Sequence, residues 1–554
     1  MPAPPHDRRT LKWNGWGWTQ QQFTLDDPVA FWGFVRRELR TDRLPDTPPV
    51  DLDEATLPDV QLPPEIVQAI KGAFAPGQVQ TSRFERAFHA MGRSYHDLIR
   101  LRAGRIESAP DVVVYPESHE DVERAVALAA THDLALIPFG GGSSVVGGVE
   151  AAPGTGQRGV ITLDTSRMRQ LLDLSAENRT ATFQAGIYGP ALEQRLQEEG
   201  FTLGHFPQSF EFSTLGGWIA ARGAGQYSDR YGKAEDFLVQ ARVVSPQGAW
   251  RTSAAPASAT GPDLNAVIAG SEGALGVITE ATVDIHPAPA TEKTYAFLFR
   301  HFASGLQAAR ELRQTASLPL TMLRLSDADE TRFLQQFRGQ GSSSLLRRLY
   351  KKWLTRRGFA DEPALMMVGL AGDRWTVAEG AARALQLCVG HGGAFAGSHG
   401  DMRANHYRMP YLRDDLMDHG VGVDTMETAT SWSNVRALHR GVRTAIRTHT
   451  AQSGTHCAVL SHLSHSYSDG ACLYFTLIFP MAIGAEVEQW RALKSVVSEA
   501  ILDGGGTLSH HHGVGRDHQP WLETERGALS VGIVRSTKSY LDPSGLMNPG
   551  TLIS

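Results

Sequence analysis

A short apolar segment, LALIPF, runs directly into the loop GGGSSVVGG, which covers Gly140 to Gly148. The apolar run predicts a buried strand, and successive glycines let backbone N–H groups converge on an anion without interference from Cβ atoms. A pyrophosphate fits such a loop, with the Ser143 and Ser144 hydroxyls as further donors. The loop lacks the Lys-Ser/Thr of a P-loop and the G-x-G-x-x-G spacing of the usual dinucleotide fingerprint. On its own it is also compatible with a bare tight turn.

Glycine is over-represented in the whole chain: 56 of 554 residues are glycine, about 10% against an average of about 7%. Part of the excess falls in two later segments, PQSFEFSTLGGWIAARGAG and GSEGALGVITE, which begin at Pro207 and Gly270. Each lies at the edge of a predicted strand or helix. We infer that three loops rich in glycine and hydroxyl groups line one long, phosphate-bearing cofactor.

Composition limits the classes of protein to consider. Hydrophobic residues make up 42% of the chain and charged residues 20%, as in globular proteins, and the net charge of −6 gives no reason to expect a nucleic-acid partner. The three cysteines, Cys388, Cys457 and Cys472, form no C-x-x-C pair, so neither a disulfide scaffold nor a cysteine-built zinc site is expected.

The order of predicted elements indicates an α+β fold. From Pro110 to about Pro287 a strand, a helix beginning at Ser118 and the strand LALIPF are followed by several more strands. We predict four regions: an N-terminal helical region on the substrate side (1–105), a cofactor domain (106–289), a substrate domain (290–500), and a C-terminal part (501–554) that carries a histidine loop and returns to the cofactor domain. The final segment, VRSTKSYLDPSGLMNPGTL, is predicted to be rich in turns.

The three loops carry a family resemblance. PFGGGSS, PQSFEFSTLGGW and GSEGALGVITE resemble the flavin-binding motifs of the vanillyl-alcohol-oxidase or PCMH-type FAD fold. The resemblance implies a two-subdomain FAD-binding domain and an α+β cap domain with an antiparallel sheet. Some members tether FAD through a histidine where this chain has Ser143 and Ser144, so we expect non-covalent FAD. The implied FAD contacts are Pro138, Phe139, Gly140, Gly141, Gly142, Ser143, Ser144, Pro207, Gln208, Ser209, Phe210, Glu211, Phe212, Ser213, Ala220, Ala221, Arg222, Gly223, Glu272, Gly273, Ala274, Leu275, Gly276, Val277 and Ile278.

Motifs outside the flavin domain give a narrower resemblance. LKWNGWGW, SHSYSDGACLYF and GGGTLSHHHGVG resemble the alkyldihydroxyacetonephosphate synthase (alkylglycerone-phosphate synthase) family, from about Leu11 to the C-terminus. The implied reaction belongs to ether lipid biosynthesis and exchanges the acyl chain of acyl-dihydroxyacetone phosphate for a long-chain alcohol. It involves no net redox change, with flavin N5 holding the substrate as a covalent adduct.

The same resemblance implies the catalytic residues. Tyr474 matches a proposed catalytic tyrosine, whose phenol can move a proton at the substrate carbon. Arg413 matches an active-site arginine that can hold a phosphate or a carboxylate, and Arg324 matches one near the flavin. Each has a structural alternative, since a strand tyrosine can simply pack in a core and an arginine can form an ion pair.

For the run of three histidines, His510, His511 and His512, the resemblance implies proton transfer and phosphate contact beside the flavin, while a solvated loop remains the structural alternative. If the run is extended, alternate members face the same way. We expect no metal, because consecutive histidines do not easily ligate one ion and no carboxylate lies at metal spacing in the sequence.

Two departures from the eukaryotic synthases leave an alternative open. His462, a candidate substrate contact, stands where they carry an arginine, and Asn548-Pro549-Gly550 replaces Asn-Arg-Asn. Asn-Pro-Gly instead resembles FAD-linked 2-hydroxy-acid dehydrogenases of the glycolate oxidase and D-lactate dehydrogenase types. In such an oxidoreductase, Arg413 or Arg324 pairs with the substrate carboxylate. A histidine of the 510–512 run then takes the hydroxyl proton while hydride passes to the flavin.

Location is predicted from what the sequence contains and lacks. The N-terminus has no apolar signal-peptide core, and no apolar run reaches the ~18 residues of a membrane span. The segment SSSLLRRLYKKWLTRRGF (342–359) is a basic amphipathic helix that fits either an anionic membrane surface or a core with a solvated basic face. Because the resembling family acts on membrane lipids, we expect a cytoplasmic protein with peripheral membrane contact, a lipid or small-molecule substrate and a homodimeric state.

Overall fold

The computed structural model describes residues 8–315, 318–337, 354–359, 361–399 and 403–553. Most of the basic segment 342–359 lies outside these residues, so its two alternatives stay predictions. Among the described residues, no helix is both long and apolar enough to cross a bilayer.

Two sheets and a short strand pair form the half of the molecule that carries the glycine-rich loops. The first sheet has four strands in the order Val79–Gln80, Val112–Val114, Val160–Asp164, Ala135–Phe139, and the last three are parallel. The second has five antiparallel strands in the order Leu171–Ser175, Thr180–Gln184, Val277–Asp284, Leu238–Ser245, Gly248–Arg251. The pair consists of Phe201–Thr202 and His286–Pro287.

One sheet dominates the other half. Its seven antiparallel strands have the order Ala394–His399, Thr291–Phe299, Ala364–Gly372, Leu320–Ser326, Ala458–Ser466, Gly470–Pro480, Val421–Ser431. Successive side chains of a strand point to opposite faces. Leu473, Phe475 and Leu477 are therefore buried in the largest hydrophobic core, whereas Tyr474 and Thr476 face the cavity described below.

Helices cover the outer face of this sheet and connect the two halves. The helix 119–132 begins at Ser118, whose hydroxyl accepts from the Asp121 N–H, which confirms the predicted cap. The α-helices of the described residues are Pro28–Leu39, Pro64–Gly72, Arg83–Phe88, Tyr95–Arg102, His119–His132, Gly189–Glu198, Leu215–Ala221, Ser228–Tyr231, Ala234–Phe237, Leu264–Ile268, Phe302–Gln314, Ala328–Phe337, Arg374–Gly390, Arg403–Asp418, Val435–Gln452, Glu486–Asp503, Gln519–Arg526 and Ala528–Leu541.

The predicted turn-rich C-terminus is wrong in its first part, because residues up to Leu541 form a helix. This helix is tied to the rest of the molecule, because Lys538 Nζ donates to the carbonyls of Ala274 and Met547. After the helix, Asn548 donates through Nδ2 to the carbonyls of Gly148 and Glu272, so the C-terminal segment joins two glycine-rich loops.

The chain thus has the predicted α+β fold, with one half that carries the glycine-rich loops and a cap built on an antiparallel sheet. The boundaries given for the four regions stay predictions.

Candidate active site

A cavity of about 670 Å³ lies between the glycine-rich loops and the inner face of the seven-stranded sheet. All three loops contribute to its lining. The residues expected to contact FAD that line it are Pro138, Phe139, Gly140, Gly141, Gly142, Ser143, Ser144, Pro207, Gln208, Ser209, Ser213, Ala220, Ala221, Gly223, Glu272, Gly273, Gly276, Val277 and Ile278.

The other expected FAD contacts have different surroundings. Phe210 stacks on Tyr407 with ring centroids 5.3 Å apart, and Arg222 pairs with Glu235. Phe212 packs in an aromatic cluster, Ala274 and Leu275 are buried, and Glu211 is half-buried. Sequence motifs mark a loop as a whole, whereas the alternation of side chains within it decides which members face the cavity.

The first loop is built on positions where only glycine fits. A Cβ on Gly141 would lie 1.7 Å from the carbonyl oxygen of Phe212. Gly142 has φ +70° and presses against the ring of Phe139. This close packing leaves the backbone of the loop at the cavity wall, as binding of a pyrophosphate through N–H groups requires.

Two polar atoms at the cavity fit a polar ligand. Gln226 Oε1 and Arg324 Nε are buried, belong to residues that line the cavity and have no hydrogen-bond partner among the described residues. Because buried polar atoms in proteins are nearly always bonded, an acceptor and a donor left in this way are suited to a bound group with both donors and acceptors. FAD, with its polar ring edge and pyrophosphate, satisfies both requirements.

Three candidate side chains form one row across the inner face of the cap sheet. Glu427, Tyr474 and His462 are direct partners on three adjacent strands. The rings of Tyr474 and His462 stack with centroids 5.1 Å apart. Burial raises the pKa of Tyr474 above its usual value, although a hydrogen bond with Thr425 and the charge of Arg413 act in the opposite direction. The phenol therefore keeps its proton at neutral pH.

The histidine run wraps around the buried carboxylate of Glu427. The backbone N–H groups of His511 and His512 donate to Glu427 Oε1 at 3.1 and 2.9 Å, and that of His510 donates to Oε2. The run is therefore a bent loop and not an extended segment. Its imidazoles lie against Tyr474, with centroid distances of 6.0 Å for His511 and 5.7 Å for His512.

Burial lowers the pKa values of all three histidines, so the imidazoles are neutral at neutral pH and can accept protons. Burial alone would raise the pKa of Glu427, but the His511 N–H and the Ser509 hydroxyl, which donate to its carboxylate, hold this pKa below its usual value. The carboxylate thus stays ionised and fixes the loop.

The expectation of no metal rested on spacing along the sequence, whereas folding brings possible ligands together from distant segments, so it stays a prediction. Glu427, Cys472, His510 and His511 offer ligand atoms within 4.8 Å of one another. However, both carboxylate oxygens of Glu427 already accept N–H groups of the loop, and Ser509 Oγ donates to Oε1 at 2.8 Å. Both oxygens of the Glu427 carboxylate are thus hydrogen-bonded to the histidine loop.

The two candidate arginines differ in their partners. Arg324 Nη2 donates to Glu330 Oε1 at 2.8 Å, and Glu330 Oε1 lies 2.9 Å from His462 Nδ1. Its charge is thus compensated locally. Arg413 lines the cavity and donates to the Arg93 carbonyl at 3.4 Å, with no carboxylate at ion-pair distance among the described residues. Arg413 is the cation better suited to an incoming anion.

Sequence reasoning missed three of these residues: Glu427, Glu330 and Gln226. Glu427 could have been suspected, because it is a lone acid on the alternating face of VGVDTMETATS. Gln226 directly follows the second glycine-rich segment and could have been suspected from its position, whereas Glu330 carries no comparable signal because only tertiary structure brings its helix to the cavity.

Comparison with known proteins places the chain in a family. Residues 110–253 match the family described as "FAD binding domain", and residues 288–552 match "FAD linked oxidases, C-terminal domain". An alkyldihydroxyacetonephosphate synthase of Dictyostelium discoideum is 34% identical over 98% of this chain and 93% of its own length. The chain belongs to the alkyldihydroxyacetonephosphate synthase family. It binds FAD.

Other relatives agree with this assignment. The alkyldihydroxyacetonephosphate synthase of Trypanosoma brucei brucei is 32% identical over 98% of this chain and 92% of its own. A solved alkyldihydroxyacetonephosphate synthase structure superposes with a TM-score of 0.85 at 32% identity and covers 98% of both chains. The crystal structure of p-cresol methylhydroxylase shares the fold, with a TM-score of 0.65 at 14% identity over 88% of this chain and 96% of its own.

Proposed function

We propose that the protein is an FAD-dependent alkylglycerone-phosphate synthase, which replaces the acyl chain of acyl-dihydroxyacetone phosphate by a long-chain alcohol. The observation that carries the proposal is the composition of one cavity, where the FAD loops, the Tyr474 row and an apolar wall meet. The apolar wall consists of Phe23, Leu25, Phe31, Phe333, Leu334, Leu412, Leu416, Val423, Leu460 and Ile478.

FAD would be held by the cavity-facing members of the three glycine-rich loops. When bound, it supplies an electron-poor ring that can bond the substrate carbon reversibly, so the exchange needs no external electron acceptor. The protein's part is to place the substrate, exclude water and move a proton.

Proton movement belongs to the row on the cap sheet. Tyr474 keeps its proton on the phenol oxygen, and His511 and His512 beside it are neutral and able to accept one. A phenol and an imidazole in contact can take a proton from the substrate carbon and return it. Glu427 holds the histidines at this position through their backbone.

Substrate placement divides between charge and apolar surface. Arg413 can bind the phosphate through two parallel N–H bonds. Leu460 and Ile478 lie on the strands that carry His462 and Tyr474, so an alkyl chain against them begins next to the reacting groups. Lactate and glycolate have no alkyl chain long enough to contact this apolar wall. The wall therefore favours the lipid substrate over the 2-hydroxy acid of the oxidoreductase alternative.

The decisive assay supplies purified yellow protein with palmitoyl-dihydroxyacetone phosphate and hexadecanol, without an electron acceptor. We expect hexadecyl-dihydroxyacetone phosphate and an equal amount of palmitate, both measured by mass spectrometry. In a parallel sample, lactate or glycolate should leave the flavin absorption unchanged. Bleaching of the flavin by a hydroxy acid, with no alkyl product in the first sample, would show the oxidoreductase instead.

A further inference from the structure

The N-terminal arm, defined here as residues 8–18, is a small hairpin that contacts both halves of the molecule. Leu11 and Trp18 form an antiparallel bridge, and the Lys12 N–H donates to the Gly17 carbonyl at 2.9 Å. Gly17 has φ +78°, and a Cβ there would lie 2.1 Å from the ring of Tyr411. The turn in LKWNGWGW therefore requires glycine where it presses on the helix 403–418.

At one end of the arm, Arg8 inserts its side chain beneath the first glycine-rich loop. The guanidinium is 1% exposed and is paired with Asp164, with Nε at 3.0 Å and Nη2 at 2.8 Å from Oδ2. Nη2 also donates to the Gly140 carbonyl at 2.7 Å, and Nη1 donates to the Tyr188 hydroxyl. Arg8 is thus a buried charge with its donors directed at three different groups.

Asp164 is fixed as the anionic partner. His89 Nε2 lies 2.8 Å from Oδ2, and the Ser166 N–H donates to Oδ1 at 2.9 Å. Burial alone would raise the pKa of Asp164, but the charge of Arg8 and the contact with His89 outweigh it, and the carboxyl pKa lies below its usual value.

The bond to Gly140 orients a peptide of the loop. In a trans peptide the C=O and the following N–H point in opposite directions. With the Gly140 carbonyl turned towards Arg8, the Gly141 N–H points away from it, on the loop that lines the cavity. Because this peptide is already oriented, the Gly141 N–H can bind an anion without a rotation of the backbone.

At its other end the arm contacts the helix that carries Arg413. Asp414 accepts from Lys12 Nζ at 2.9 Å and from the Trp16 N–H at 3.0 Å. Arg93 joins the parts: its Nε donates to the Gly15 carbonyl, its backbone N–H donates to the Ser144 carbonyl, and its own carbonyl accepts from Arg413. The arm is therefore linked to the first glycine-rich loop and to the phosphate-binding candidate.

We propose that the N-terminal arm is a positioning element of the FAD site, in which Arg8 holds the first glycine-rich loop in its binding conformation, and that docking of the arm and binding of FAD strengthen each other. The inference rests on the assignment of FAD to these loops. Arg8 touches the loop and not the reacting atoms, so it acts through Gly140.

The test compares Arg8→Lys and Arg8→Gln with the matched control Arg9→Gln, whose parent side chain is exposed on the same segment. FAD is titrated into each protein after removal of the cofactor, and binding is followed by quenching of flavin fluorescence. Lysine keeps the charge but cannot bond Asp164 and Gly140 with a planar fork. We expect both Arg8 variants to bind FAD at least about tenfold more weakly, with Arg9→Gln unchanged, since couplings between linked sites are commonly of this size.

A second measurement distinguishes positioning from a purely structural role. If docking of the arm raises the affinity for FAD by some factor, thermodynamic linkage requires that bound FAD raise the equilibrium constant for docking of the arm by the same factor. In the parent protein, FAD should therefore slow hydrogen exchange of amides in residues 8–18, and this slowing should be lost in Arg8→Lys. If Arg8→Gln fails to fold, the exchange of the parent and of Arg8→Lys still decides the matter.

Two results would overturn the inference: equal FAD affinity for Arg8→Lys and Arg9→Gln, or arm exchange in the parent protein that is the same with and without FAD. A parent protein that binds no FAD would contradict the proposed function itself, so the two failures are distinct.

Discussion

Tyr474 lies directly opposite Glu427 in the strand pair 421–431 and 470–480, so the candidate proton carrier and the anchor of the histidine loop share one face of the cap sheet. The strand register fixes Tyr474 relative to Glu427 through main-chain hydrogen bonds, and the Glu427 carboxylate in turn holds the backbone of the histidine loop. A change at Tyr474 should therefore affect proton transfer, whereas a change at Glu427 should affect the position of the histidine loop.

Tyr474→Phe removes the phenol and keeps the ring that stacks on His462. We expect kcat for the alkyl exchange to fall by about 10²–10⁴, the usual range for loss of a proton-transfer group. FAD content, measured from the visible flavin spectrum, should stay unchanged. Tyr540→Phe, at a side chain that is 75% exposed, is the control and should retain full activity. Retained activity in Tyr474→Phe would remove this residue from the mechanism.

Glu427→Gln replaces one carboxylate oxygen, which accepts from the histidine loop, by a donor. A buried N–H then loses its acceptor, and we expect the free energy of unfolding in urea to fall by about 1–3 kcal/mol. Because the imidazoles shift relative to Tyr474, kcat should fall by about 10–100-fold. Glu488→Gln, an exposed acid on the helix 486–503, should change neither quantity. If Glu427→Gln had the kcat and the free energy of unfolding of the parent protein, the histidine loop would keep its conformation without the carboxylate.

Tyr474 and Glu427 also differ in how far their places follow from the sequence. Successive side chains of a strand point to opposite faces, so a strand over CLYF by itself predicts Tyr474 on the sheet face opposite Leu473 and Phe475. The glycine motifs likewise locate the cofactor loops. The pairing of Glu427 with Tyr474 depends on strand register, which a single sequence does not encode locally. The bend of the histidine run has the same origin, because a carboxylate on a distant strand imposes it.

Glu272 should make stability depend on pH. Burial raises the pKa of Glu272 to about 7, and the N–H bonds from Val514 and Gly515 offset burial only in part. The folded protein then keeps a proton that the unfolded chain, with an ordinary pKa near 4.5, releases. Stability contributed by this group is therefore highest at low pH and is lost as pH rises from 4.5 through 7.

Glu272→Gln tests this dependence in urea unfolding of the cofactor-free protein. Relative to the parent, the variant should gain about 2–3 kcal/mol in the free energy of unfolding between pH 5 and pH 8, since one pKa unit corresponds to about 1.4 kcal/mol. The fixed loss of an N–H acceptor does not vary with pH. A difference between variant and parent that stays constant over this range would mean that the pKa of Glu272 is ordinary.

Arg413 and Arg324 should respond differently to the change to Gln. Arg413→Gln removes a charge with no carboxylate partner among the described residues, and KM for acyl-dihydroxyacetone phosphate should rise by about 10–100-fold. Arg324→Gln leaves Glu330 with His462 alone, and we expect a smaller change in KM than in kcat. Equal increases in KM for both variants would mean that both arginines bind the phosphate of the substrate.

Leu460→Trp should narrow the part of the cavity that is lined by the apolar wall. Leu460 is 5% exposed and lines the cavity two residues from His462 on the same strand. We expect the ratio of rates with hexadecanol and octanol to fall by about tenfold or more, the scale at which pocket size discriminates between chains. Leu385→Trp, at a side chain that is 43% exposed, is the matched control. An unchanged ratio would place the alcohol elsewhere.

The bonds from Arg8 to Gly140 and from Asn548 to Gly148 bracket the first glycine-rich loop with residues from opposite parts of the sequence. During synthesis, the loop leaves the ribosome long before Asn548 is made. We therefore expect full affinity for FAD only once both segments are in place, so that a chain released before Asn548 is made binds FAD more weakly.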